Sequence, residues 1–158
     1  MTMQLRLATP EDFPAVCNLW QRLTDFHRGV GLAFAIADEK QARSAWQASF
    51  ERTLGRFSFL WVAETEQGVQ GFLLARLKRA PAYLGGALVG EISDLWVEPE
   101  LRHQGAASGL VQLAMQQFQT LQVHSVEVQV MAANAQGIAF WQAQGFTPEL
   151  LQVRRLIP

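Results

Sequence analysis

The stretch Leu95-Trp-Val-Glu-Pro-Glu-Leu-Arg-His-Gln-Gly-Ala-Ala-Ser-Gly-Leu110 decides the fold of this chain. Its first residues complete an apolar strand, Leu88–Val97, which Pro99 ends because proline cannot donate a hydrogen bond to a sheet ladder. From Gly105 to Thr120, apolar residues recur at helical spacing. The stretch therefore predicts a strand, a turn and a helix that begins at a run of glycine and alanine.

Such a turn predicts an anion site. The first N–H groups of a helix lack intrahelical acceptors, and the positive end of the helix dipole favours negative charge. Gly105 and Ala107 carry little side-chain bulk, so a phosphate can approach the backbone, and Arg102 can add a positive charge. The alternative is a small-residue contact that packs the helix tightly on the sheet. Nucleotide hydrolysis is not expected, because no Gly-Lys-Ser/Thr follows to supply a lysine and a magnesium ligand.

The rest of the chain predicts further strands and helices around this unit. Thr9-Pro10-Glu11-Asp12 is typical of a helix start, and Gly145 is typical of a helix end. The predicted strands are Gln4–Ala8, Phe57–Ala63, Val69–Leu77, Leu88–Val97, Val123–Met131 and Glu149–Leu156. The other predicted helices start at Thr9, at Asp38 after a loop over Arg28–Ala37, and at Ala135, which Asn134 caps. The order β-α-α-β-β-β-α-β-α-β predicts one α/β domain over residues 1–158 with a mixed sheet.

Composition excludes several classes of protein. Of 158 residues, 49% are hydrophobic, which argues against a disordered chain. With 13 basic and 14 acidic residues, the sequence has no basic excess for nucleic acid or an anionic membrane. A single cysteine, Cys17, allows neither an internal disulfide nor a Cys/His zinc cluster, and no metal is expected. The lack of a signal peptide or a long apolar run predicts a cytoplasmic protein.

Two motifs in the second half of the chain resemble those of one enzyme family. Val97-x-Pro99-x-x-Arg102-x-x-Gly105-x-Ala107-x-x-Leu110 resembles the acetyl-CoA signature of the GNAT N-acetyltransferases, which is usually Arg/Gln-x-x-Gly-x-Gly/Ala. Asn134-x-x-x-x-Ala139-Phe140-Trp141-x-x-x-Gly145-Phe146 is similar to the family's second cofactor segment. The element order is also similar over nearly the whole chain. The resemblance implies a mixed, mostly antiparallel central sheet with helices on both faces.

The resemblance further implies a site for acetyl-CoA as co-substrate. Backbone groups of Leu95, Trp96 and Val97 would pair with the pantetheine arm, and one N–H would stabilise the oxyanion of the tetrahedral intermediate. Asn134 would contact pantetheine, although capping of the following helix explains it equally well. The residues implied at the pyrophosphate, through their amides or side chains, are Arg102, His103, Gln104, Gly105, Ala106, Ala107 and Ser108.

The implied reaction is direct attack by a primary amine of a small molecule or a protein on the bound thioester. Because an alkylammonium is mostly protonated at neutral pH, a base assists. Glu91 lies six residues before Val97, where some family branches have a catalytic glutamate, and Asp94 can bind a cationic substrate instead. Either acid can also be a solvated charge at a strand edge. His27 is a candidate substrate residue, or a histidine favoured by the dipole at a helix C-terminus.

The chain departs from the family pattern at Trp141. The family often has a tyrosine there, as general acid for the leaving thiolate, and an indole cannot deliver that proton. Two functions therefore remain open. The first is an acetyl-CoA-dependent N-acetyltransferase, in which Trp141 lines the acyl pocket. The second is a catalytically silent acyl-CoA-binding sensor or partner domain. Neither nucleic acid nor membrane is an expected partner, and a homodimer is left open.

Overall fold

The computed structural model describes residues 2–35 and 38–158, and its elements follow the predicted order as far as the last helix. Short 3-10 helices cover Pro10–Asp12, Ala82–Leu84 and Pro99–Leu101. The strands are β1 (Gln4–Leu7), β2 (Ser58–Thr65), β3 (Gly68–Arg79), β4 (Leu88–Val97) and β5 (Ser125–Val128). The helices are α1 (Phe13–Gly29), α2 (Glu39–Glu51), α3 (Ala106–Thr120) and α4 (Ala135–Ala143).

The described strands form one sheet in the order β1-β2-β3-β4-β5. The first four strands are antiparallel neighbours, and β5 runs parallel to β4. Alternate residues of β2 and β3 enter two separate apolar cores, one shared with α1 and α2 and the other with α3 and α4. The prediction of a mixed, mostly antiparallel sheet with helices on both faces is therefore confirmed.

The chain enters α1 through a charged cluster. The Asp12 carboxylate accepts from the Thr9 backbone N–H (2.8 Å) and from both terminal nitrogens of Arg6 (2.7 and 2.9 Å). Arg6 also donates to Glu64 on β2 (2.9 Å). These bonds, led by the one from Arg6, hold the pKa of Asp12 below its ordinary value. The cluster ties the start of α1 to the β1–β2 edge of the sheet.

Two glycines allow α3 to lie close to the sheet. A Cβ at Gly90 of β4 would lie 2.7 Å from the ring of Phe118, and a Cβ at Gly109 would lie 2.4 Å from Leu5 Cδ1. A larger residue at Gly90 would press on the buried Phe118 ring, whereas at Gly109 the end of the Leu5 side chain would have to turn away. This close contact fixes the N-terminus of α3 beside the carboxyl end of β4.

The predicted last strand, Glu149–Leu156, is wrong for this structure. Residues 147–158 have no secondary structure and are exposed. β5 is also shorter than the predicted Val123–Met131, because it pairs with β4 alone. The predicted loop over Arg28–Ala37 reaches residues 36 and 37, which lie outside the described residues. Within residues 2–35 and 38–158, no helix is long and apolar enough to cross a membrane.

Candidate active site

A wedge opens between β4 and β5. On one side, β4 pairs with β3 as far as Val97 opposite Gly71. On the other side, its pairing with β5 ends at Ile92 opposite Val128. Within residues 2–35 and 38–158, no strand therefore pairs with the β5-facing edge of residues 93–97. This edge offers backbone N–H and C=O groups to an extended ligand, which can pair with them as another strand would.

A bulge at Ser93 decides which side chains of β4 share a face. Asp94 lies opposite Leu74 and Ile92 lies opposite Ala75, so Ser93 is the extra residue. As a result Asp94 and Glu91, three residues apart, both lie on the face that α1 and α2 cover. Regular alternation would have put them on opposite faces.

The N-terminus of α3 lies at the mouth of this wedge. Gly105 has φ +83°, a left-handed conformation that favours glycine, and it precedes the first helical residue, Ala106. A Cβ at Gly105 would meet no atom within 4 Å, so the glycine is not there for tight packing, and the space beside it is open. The N–H groups of Ala106, Ala107 and Ser108 precede the first intrahelical hydrogen bond and remain available. This turn can hold an anion.

The wedge and the turn open into one cleft of about 650 Å³. The cleft brings together most of the residues singled out from the sequence: His27, Asp94, Leu95, Trp96, Val97, Arg102, His103, Gly105, Ala106, Ala107, Ser108, Asn134 and Trp141. Sequence reasoning missed other lining residues, among them Leu23, Phe26, Gln129, Val130 and Gln136, because only the fold brings α1 and the end of β5 to this place.

Two predicted site residues do not line the cleft. Glu91 lies 3.3 Å from Lys78 Nζ, and the same ammonium also contacts Glu127 on β5. Gln104 is exposed, its side chain donates to the Glu100 carbonyl (2.8 Å), and its N–H points to the Leu101 carbonyl (3.4 Å). The side chains of Glu91 and Gln104 therefore bond to Lys78 and to the Glu100 carbonyl, outside the cleft.

Two of the titratable groups that line the cleft, Asp94 and His27, have pKa values shifted by burial. Burial raises the pKa of the Asp94 carboxyl, although a hydrogen bond from Ser93 Oγ (2.8 Å) opposes the shift. Burial lowers the pKa of His27, so its imidazole is neutral near pH 7. The cleft thus contains two groups, Asp94 and His27, that can accept a proton from a bound proton donor.

Arg102 is held between the strand end and an aromatic ring. Its Nε donates to the Val97 carbonyl (3.1 Å), and its guanidinium lies 4.9 Å from the centre of the Trp96 ring. The Trp96 indole in turn donates to the buried Glu98 (2.9 Å), which also pairs with Arg22 of α1. Sequence reasoning missed Glu98 and Arg22. They fix the position of Trp96 and, through it, that of Arg102.

On the other wall, Asn134 and Trp141 hold α4 in place. The Asn134 side chain accepts from the Gly137 N–H (2.9 Å), so it caps α4 while it also lines the cleft. Trp141 is 9% exposed and packs edge-on against Phe140 and Phe146, with ring centres 5.0 and 5.2 Å away. Trp141 is thus both a core residue and part of the cleft wall.

Comparison with known proteins agrees with this architecture. The family model described as the acetyltransferase (GNAT) family matches residues 18–146, so the chain belongs to the GNAT family. No curated protein sequence matches it. A tetramutant of the BH1408 protein from Bacillus halodurans is similar over 98% of this chain and 99% of its own, with a TM-score of 0.82 and 20% identity.

Two further similar structures are those of acetyltransferases. A predicted acetyltransferase from Clostridium acetobutylicum, determined with acetyl-CoA, has a TM-score of 0.74 and 17% identity over 97% of this chain and 96% of its own. An aminoglycoside acetyltransferase from an uncultured soil metagenomic sample, determined with sisomicin, has a TM-score of 0.67 and 18% identity over 99% of this chain and 95% of its own. At these identities the likeness shows the fold, and the family match supports acetyl transfer.

Proposed function

We propose that the protein transfers an acetyl group from acetyl-CoA to a primary amine of a small molecule. The observation that carries this proposal is a cleft in which the unpaired edge of residues 93–97 meets the open helix start after Gly105. An elongated ligand with amides at one end and phosphates at the other matches this pair of features. The GNAT neighbour determined with acetyl-CoA supports the same ligand.

The residues present fit acetyl-CoA in both parts. Backbone groups of Leu95 and Val97 lie along the unpaired edge and can pair with the amides of the pantetheine arm. The N–H groups after Gly105 can hold the pyrophosphate, with the guanidinium of Arg102 as the added positive charge. Bound there, acetyl-CoA supplies an activated acyl group. A backbone N–H at the strand end is then placed to stabilise the oxyanion as charge develops.

We propose Asp94, with His27 as a second proton acceptor, as the group that takes the proton from the attacking amine. Both lie in the cleft, whereas the Glu91 carboxylate is paired with Lys78. Burial raises the pKa of Asp94, which brings the carboxylate closer to the range in which a base is effective. This proposal replaces Glu91 as the favoured base.

Trp141 supports a second candidate, an acyl-CoA-binding domain without turnover. The chain has an indole where the resemblance places a proton-donating tyrosine, and the indole cannot protonate the thiolate. We favour turnover all the same, because a thiol with a pKa near ~8.5 leaves readily as a thiolate. The indole then excludes water from the thioester.

Thiol release from acetyl-CoA, measured across a panel of amines, tests the proposal. Small polyamines, aminoglycosides and amino acids form the first set, and lysine-containing peptides form the second. Turnover with a small amine is the expected result. Turnover only with peptides would refute the small-molecule acceptor, and calorimetric binding of acetyl-CoA without turnover on any amine would establish the silent binding domain.

A further inference from the structure

The cleft passes through the sheet and has two unlike halves. On the side of α3 and α4, its walls include Ala106 and Trp141, which belong to the core of those helices. On the other side, its walls include Leu23, which belongs to the core of α1 and α2, and Phe26 of the last turn of α1. Because the open helix start after Gly105 lies in the first half, the second half is left for the acceptor amine. We call this second half the acceptor half.

Two aromatic rings, those of Phe26 and Trp96, form a corner in the acceptor half. Their centres are 6.1 Å apart, and their planes meet at 52°. Phe26 is 36% exposed although it lines the cleft, so part of its ring is open to a ligand. Trp96 is held in place by its bond to Glu98 (2.9 Å), and Leu23 adds an aliphatic wall. This aromatic corner is therefore preformed, and it suits the apolar body of a small molecule.

The acceptor half offers one carboxylate. Among the described residues that line the cleft, Asp94 is the only acid. Two other acids of this region, Glu91 and Glu98, already have cationic partners within the chain. Asp94 receives its hydrogen bond from a neutral group, Ser93 Oγ (2.8 Å). The acceptor half can therefore neutralise one ammonium group of a ligand.

A second ammonium group on the same ligand would meet apolar walls or a like charge. The side chains of the aromatic corner offer no acceptor oxygen, and burial of an unpaired charge is costly. The ring of Trp96 can attract a cation, but the Arg102 guanidinium already lies 4.9 Å from the ring centre. The positive charge of Arg76 also acts on Asp94, where it opposes the rise in pKa that burial causes. A ligand with several positive charges is therefore a poor fit.

We propose that the acceptor is a monoamine with an apolar body, whose ammonium group lies against Asp94 and whose body lies in the corner of Phe26 and Trp96. The inference rests on the proposed function, because it assigns the acceptor of that same reaction. The ammonium gives one proton to Asp94, the nitrogen forms a bond to the acetyl carbon, and the C–S bond breaks. The second proton on nitrogen balances the released thiolate as the thiol. Polyamines and aminoglycosides, which carry several ammonium groups, are then poor acceptors.

Two amines of equal length provide the first test. Heptylamine and hexamethylenediamine have the same number of heavy atoms and differ in one terminal group, which is a methyl in the first and an ammonium in the second. In steady-state thiol release from acetyl-CoA at neutral pH, kcat/KM for heptylamine should exceed that for the diamine by at least ~10-fold. Phenethylamine should react at least as well as heptylamine, because its ring can pack in the aromatic corner. A preference for heptylamine over the diamine that is smaller than ~10-fold overturns the inference.

Substitution of Phe26 should move this preference. Phe26→Glu puts a second carboxylate in the corner, so kcat/KM should rise for the diamine and fall for phenethylamine, and their ratio should change at least ~10-fold. Phe26→Gln has the same side-chain length without the charge, and it should slow phenethylamine without helping the diamine. The matched control is Phe57→Glu, because Phe57 is 48% exposed in the α2–β2 connection and does not line the cleft, and its ratio should stay at the parental value. A parental ratio in folded Phe26→Glu overturns the inference, and circular dichroism and melting show that each variant is folded.

Amine binding without chemistry separates this inference from the proposed function. The chain saturated with CoA, which has no acetyl group to transfer, is titrated with heptylamine and with hexamethylenediamine by calorimetry. Heptylamine should bind at least ~10-fold more tightly, and equal or reversed affinities overturn the monoamine assignment. If heptylamine binds more tightly but no amine releases thiol from acetyl-CoA, the proposed reaction fails and the monoamine site stands. If thiol release is fastest with the diamine or an aminoglycoside, the proposed reaction stands and the monoamine assignment fails.

Discussion

Replacing the two acids of β4 separately tests which one serves the reaction. Asp94→Asn removes a proton acceptor from the cleft, and loss of a general base lowers the rate by about 10²-fold or more near neutral pH. Glu91→Gln removes one partner of the ion pair with Lys78, whose side chain is 46% exposed. A pair of this kind is worth ~1 kcal/mol or less, so the rate should fall less than ~5-fold.

The pH dependence of kcat/KM should also change in a different way in each variant. A base acts only when ionised, and burial raises the pKa of Asp94, so the acid limb of kcat/KM should lie above the ordinary range of an aspartate. Asp94→Asn should abolish this limb. The Glu91 charge also raises the pKa of Asp94, and Glu91→Gln should therefore move the limb slightly to lower pH.

Steady-state thiol release with an amine acceptor, measured at closely spaced pH values, reads out both variants. Thermal melting of each variant guards against a loss caused by unfolding. A parental acid limb in Asp94→Asn, or a larger rate loss in Glu91→Gln than in Asp94→Asn, refutes the assignment and returns the role to Glu91 or to His27.

Three further predictions concern the helix start, the cleft wall and the fold. Gly105→Glu should weaken acetyl-CoA binding more than tenfold by calorimetry. Gly105→Ala has the same unfavourable φ but no charge, and it should lose much less affinity. Equal losses of affinity would mean that backbone strain alone is responsible. Trp141→Tyr should change kcat less than ~10-fold, and a large gain would mean that the parent lacks a needed acid. Asp12→Asn should cost about 2 kcal/mol in urea unfolding at pH 7. Because the pKa of Asp12 is lowered in the folded state, this contribution is present above the unfolded pKa of ~3.9 and disappears as the pH falls through the folded value. A difference in unfolding free energy between parent and variant that stays constant down to acid pH would contradict the ion pair.

The strand–turn–helix unit could be predicted from sequence because its signals are local. Pro99 ends a ladder wherever it stands, and Gly105 provides the positive φ that the turn adopts. The same holds for the predicted helix start at Thr9-Pro10-Glu11-Asp12, where the Asp12 carboxylate accepts from the Thr9 backbone N–H. At each of these positions the residue itself imposes the conformation.

The choice between Glu91 and Asp94 could not be predicted from sequence. It depends on the bulge at Ser93, and a bulge arises from the pairing of β4 with β3, which leaves no mark in the alternation of β4 itself. The prediction of a last strand over Glu149–Leu156 was wrong for a related reason. Strand propensity identifies a segment that can pair, but pairing needs a neighbour, and that neighbour is set by the tertiary or quaternary structure.

The one-sided pairing of β4 has a consequence for the life of the protein in the cell. On the β5 side of residues 93–97, the described part of the chain provides no strand to pair with the backbone, although the Val97 carbonyl accepts from Arg102 Nε. Under the proposed function, acetyl-CoA would act as a surrogate strand, and a ligand that binds only the folded form raises its stability by RT ln(1 + [L]/Kd), about 2.7 kcal/mol at one hundred times Kd. Resistance to proteolysis would then rise and fall with the supply of acetyl-CoA, and the abundance of the protein would report the acetyl-CoA status of the cell.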